Sequence, residues 1–68
     1  MKKYIGKKIL IVGKSHPHFG EKAFGIETVM YNENEEALIC KNHLNKTFYV
    51  FDEDDLTDIF GENKLHNI

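Results

Sequence analysis

The chain has no arginine and no tryptophan, a single proline and a single cysteine, and its longest uninterrupted aliphatic run is Ile9-Leu10-Ile11-Val12. Such a run falls far below the roughly 20 apolar residues that a membrane-spanning helix needs. Met1-Lys2-Lys3 is not followed by the apolar core of a signal peptide. A cytoplasmic location without a membrane partner is the expectation. The lone Cys40 cannot close an internal disulfide, so small size is not offset by the staples of secreted mini-domains. Lacking arginine, the chain also lacks the planar fork that grips guanine or phosphate at two points, which argues against direct base readout.

What is present describes a small folded domain. At 41% apolar and 29% charged residues, the composition is that of a globular chain rather than a disordered one. A chain of 68 residues has length for one domain and buries only about 60% of its unfolded surface, which leaves no room for an enclosed cofactor cavity. No cofactor is expected. The net charge of -2 conceals a polarity along the chain. Lys2, Lys3, Lys7, Lys8, Lys14 and Lys22 face one acid, Glu21, in the first third, whereas ten acids face Lys41, Lys46 and Lys64 in the rest.

Apolar alternation predicts an all-β domain. Gly6–Gly13 reads as a first strand, bounded by glycines and rich in β-branched residues. Ala23–Tyr31 follows period two, with Phe24, Ile26, Thr28 and Met30 on one face and Glu27, Val29 and Tyr31 on the other, and Gly25 suggests a bend or bulge. Asn32–Glu35 has the polarity of a hairpin turn, Glu36–Lys41 is a third strand, Asn42–Lys46 a second turn and Thr47–Phe51 a fourth strand. Asp52–Leu56 stops this run, and Leu56–Phe60 resumes an apolar spacing of three and four that fits one helical turn and a short last strand ended by Gly61, with Asp52 or Asp54 capping the turn. One domain over 1–61 and a tail over 62–68 result.

Strand, long loop, three-stranded meander, helical turn and closing strand is the order of a small five-stranded SH3-like barrel. Gly6-Lys7-Lys8-Ile9-Leu10-Ile11, with Gly20, Gly25 and Val29, also resembles KOW-type barrels of transcription and ribosomal proteins. That resemblance implies a barrel with a role in binding RNA. The first loop departs from it, carrying His-Pro-His-Phe where the family has a basic glycine-rich run, and the later half is acidic.

The loop Gly13–Lys22 holds the only proline and two of the four histidines. His16 and His18 lie two apart in a segment that Pro17 extends, so both rings could face one side. A closed zinc site needs four ligands, and His43, His66 and Cys40 stand at no metal-binding spacing; no metal is assigned. Asp52-Glu53-Asp54-Asp55 lacks the glycine and distal glutamate of a calcium loop, which leaves a capped, solvated turn or a mimic of nucleic-acid phosphate. Cys40, among Leu38 and Ile39, reads as a small buried hydrophobe, and no residue pairing suggests catalysis.

These readings converge on a non-enzymatic binding module or small regulator acting on a protein partner, in the style of a phage accessory protein directed at a host enzyme. His16, His18, Phe19, Tyr31, Tyr49 and Phe51 are its expected contacts, since aromatic anchors dominate interfaces. The competing class is a KOW-like nucleic-acid binder using Lys2, Lys3, Lys7, Lys8 and Lys14, with Phe19 stacking on a base. Homodimerisation through a strand edge or the Phe24, Ile26 and Met30 face stays open beside both.

Overall fold

The computed structural model describes residues 1–59. The expected tail over 62–68 lies outside them. Five strands, β1 (Lys8–Ile11), β2 (Lys22–Asn32), β3 (Glu35–Asn42), β4 (Thr47–Val50) and β5 (Leu56–Asp58), form one antiparallel sheet in the order β4-β3-β2-β1-β5. β2, β3 and β4 make the expected meander, and β1 lies between β2 and β5. Among the described residues no pairing joins the edge strands β4 and β5, so the sheet they form is open by its hydrogen bonds.

Alternation places Ile9, Ile11, Ala23, Leu38, Cys40, Val50 and Leu56 on one face, where they form the core with Met1, Tyr4 and Phe48 packed at its border. A 3-10 turn over Glu53–Asp55 precedes β5, and Asp52 caps it by accepting the Asp54 N–H at 3.0 Å. A second 3-10 turn, Lys2–Tyr4, was not expected from the sequence. It docks where Ile5 bridges Gly25, with Gly6 N–H donating to the Gly25 carbonyl at 2.8 Å and Gly25 N–H to the Lys7 carbonyl at 3.0 Å. Lys3 Nζ holds Glu53 at 2.7 Å and ties the two turns together.

One feature of β2 corrects the alternation read from sequence. Phe24 lies directly opposite Lys41 and Gly25 opposite Cys40, but Glu27, not Ile26, lies opposite Ile39. Ile26 is the extra residue of a bulge. Directly opposed residues share a face, so Phe24 sides with Glu27 and Val29 against Ile39 and Ala37. Thr28, opposite Leu38, stays on the core side. A one-residue slip inverts every side chain beyond it, which is why an unbroken period of two groups Phe24 with Thr28 and Met30 wrongly.

Candidate functional site

The long connection between β1 and β2 is folded onto the sheet by its own histidines. Successive turns, His16 N–H to the Gly13 carbonyl and Phe19 N–H to the His16 carbonyl, bring both rings back toward β4. His16 Nδ1 accepts the His18 N–H at 3.0 Å. That nitrogen therefore carries no proton, Nε2 does, and Nε2 donates to the Tyr49 carbonyl at 2.9 Å. The His18 ring stacks on Phe48 with centroids 4.0 Å apart and 16° between planes, which seals one border of the core. Phe19, expected to be a partner contact, stands 53% exposed and does not anchor the loop. His18 does the anchoring.

A polar chain continues from His18. Its Nδ1 donates to Glu21 Oε2 at 2.9 Å, and Asn42 Nδ2 donates to Glu21 Oε1 at 2.8 Å. Asn42, the one polar residue among the buried side chains described, also accepts the Leu44 and Lys46 N–H groups, each at 3.0 Å. Glu21 is held below its ordinary value of 4.5, first by the Asn42 hydrogen bond and then by His18. Its stabilising effect is therefore complete above pH 4.5 and is lost as pH falls through the lower value of the folded state. Denaturant midpoints followed from neutral pH down to about pH 3 should fall more steeply in the wild type than in Glu21→Gln; parallel curves would contradict this linkage. Sequence pattern offered no signal for the Glu21–Asn42 bond or the His18–Phe48 stack, because the partners in each are 21 or more positions apart.

Tyr31, Tyr49 and Phe51 are brought together in space. Tyr31 meets Phe51 edge-on at 5.0 Å between centroids and Tyr49 at 5.6 Å, while Tyr49 and Phe51 lie 5.8 Å apart. All three are exposed, at 57% for Tyr31, 44% for Tyr49 and 41% for Phe51. No protein-family model, curated protein or solved structure matches the chain. The functional reading therefore rests on the chemistry of this surface.

The five candidate lysines are dispersed. Lys3 is engaged by Glu53, Lys2 opens the N-terminal turn and Lys7 follows it, Lys14 lies in the long connection and Lys8 lies on the outer sheet face opposite Phe24. Among the described residues no three histidine, cysteine, aspartate or glutamate side chains converge as metal ligands would, and no helix is long and apolar enough to cross a membrane. Burial pushes the Cys40 thiol up to about 12, so it is not ionised at neutral pH and is a poor nucleophile.

Proposed function

We propose that the protein is a non-enzymatic recognition module that engages a protein partner through Tyr31, Tyr49 and Phe51. The observation that carries this reading is the cluster itself: three exposed rings in mutual edge or tilted contact. Rings that already support one another lose little freedom on binding, and each offers a large apolar face at low entropic cost. His16, bonded to the Tyr49 carbonyl, steadies the strand that carries Tyr49. In this reading His16 and His18 act as positioning residues, which differs from the direct contacts expected of them. The strand order, with β1 between β2 and β5, the long first connection and the 3-10 turn before β5 support a further step, that the sheet curls as an SH3-like small barrel.

Affinity capture from lysate of the source cell tests the reading with wild type, Tyr31→Ser/Tyr49→Ser and the exposed control Leu44→Ser. The double variant should weaken capture of the specific partner by about tenfold or more, the scale of a lost aromatic anchor, while the control captures it unchanged. A folded double variant with the wild-type partner set would overturn the proposal.

A further inference from the structure

The outer sheet face holds a second feature, a groove of about 570 Å³ between β1, β2 and β3. Phe24 and Ile26, both exposed, line it, the latter being the bulged residue. Lys8 lies directly opposite Phe24 on β1 and Lys41 directly opposite it on β3, so lysines stand on both neighbouring strands beside Phe24. Lys22, two residues before Phe24 on the same strand, adds a third. The lining contains three lysines and no carboxylate. Among the described residues none of these three lysines forms an ion pair, whereas Lys3 and the N-terminal ammonium do. The nearby Glu21 carboxylate is already held through both oxygens by His18 and Asn42.

Three like charges around exposed apolar side chains repel one another and leave apolar surface in water. We propose that this groove binds a short acidic segment of a partner protein, its carboxylates on Lys8, Lys22 and Lys41 and an apolar side chain on Phe24 and Ile26. The inference rests on the reading of the protein as a protein-recognition module, and extends it to a second surface and a stated ligand chemistry. Three compact ammonium charges match two or three carboxylates. A nucleic-acid strand is the poorer fit: its affinity grows with the number of phosphates neutralised, but the next row of the face presents Glu27, and the chain as a whole is negative.

Chemical-shift mapping on the full chain tests it, with a blocked hexapeptide of two leucines between glutamate pairs, the same peptide with glutamines, and a single-stranded oligothymidylate. The glutamate peptide should give saturable, salt-sensitive shifts at Lys8, Lys22, Phe24, Ile26 and Lys41, with affinity reduced roughly tenfold in Lys22→Gln/Lys41→Gln. No shifts, equal shifts with the glutamine peptide, or tighter binding of oligothymidylate would each overturn it. Capture separates the two surfaces. If the lysine double variant retains the partner in full while Tyr31→Ser/Tyr49→Ser loses it, the groove proposal fails and the aromatic one stands.

Discussion

Gly25→Ala should destabilise the protein by about 3 kcal/mol, a large part of a total that for a domain of this size is on the order of 3–10 kcal/mol. The backbone at Gly25 is extended, so the cause is not glycine's conformational range. A Cβ built there would overlap the Tyr4 carbonyl oxygen, a backbone atom that moves only if the whole N-terminal turn moves. Displacing that turn breaks the Gly6-to-Gly25 and Gly25-to-Lys7 hydrogen bonds and withdraws Met1 and Tyr4 from the border of the core. Gly6 is the control. It sits at φ +77° with nothing near an added Cβ, so Gly6→Ala meets only the left-handed backbone penalty of about 1–2 kcal/mol. Denaturant unfolding of both variants, with hydrogen exchange at the Gly6 amide, checks the order. A Gly25→Ala protein as stable as Gly6→Ala would show that the N-terminal turn contributes little.

Asn42→Ala is expected to cost about 2–4 kcal/mol. The side chain is buried and accepts two turn amides through Oδ1 while donating to Glu21 through Nδ2. Alanine leaves the Leu44 and Lys46 amides without that acceptor and removes the contact that most lowers the Glu21 carboxyl. The long connection loses its tie to β3, and Glu21 should titrate closer to 4.5, visible in the carbon shift of its carboxyl group. Asn42→Asp separates the two roles. It keeps the turn acceptors but sets a carboxylate against Glu21, so it should be weaker than wild type at neutral pH and recover part of the deficit on acidification. Alanine and wild type with the same unfolding midpoint would refute the role of this side chain.

The same two positions show where sequence reading reached and where it stopped. Gly25 stood out as a break in a strand pattern, which is a local signal. The pairing with β3 makes Ile26 the extra residue and inverts the faces of the β2 residues beyond it. Asn42 read as a turn residue, and it does organise the turn through Asx-type bonds. Its bond to Glu21 crosses the sheet and has no counterpart in spacing. His16 and His18 read as exposed contacts because spacing did not show the turns that fold the loop back on itself and onto β4. The Tyr49 carbonyl and the His18 N–H take the His16 nitrogens, Glu21 takes His18 Nδ1, and Phe48 stacks on the His18 ring.

By itself the sequence determined the five strands in their order, the turns between them, a capped helical turn after the fourth strand and Cys40 as a buried residue. Those features arise from period-two burial and from turn chemistry, both of which act between near neighbours. Tertiary structure alone decided the placement of β1 between β2 and β5, the docking of the N-terminal turn on Gly25, and the gathering of Tyr31, Tyr49 and Phe51. It also set the row of Lys8, Phe24 and Lys41. Each of these depends on which residues lie opposite one another across strands, and strand register is a property of the assembled sheet, fixed only when bulge, core and long connection are satisfied together.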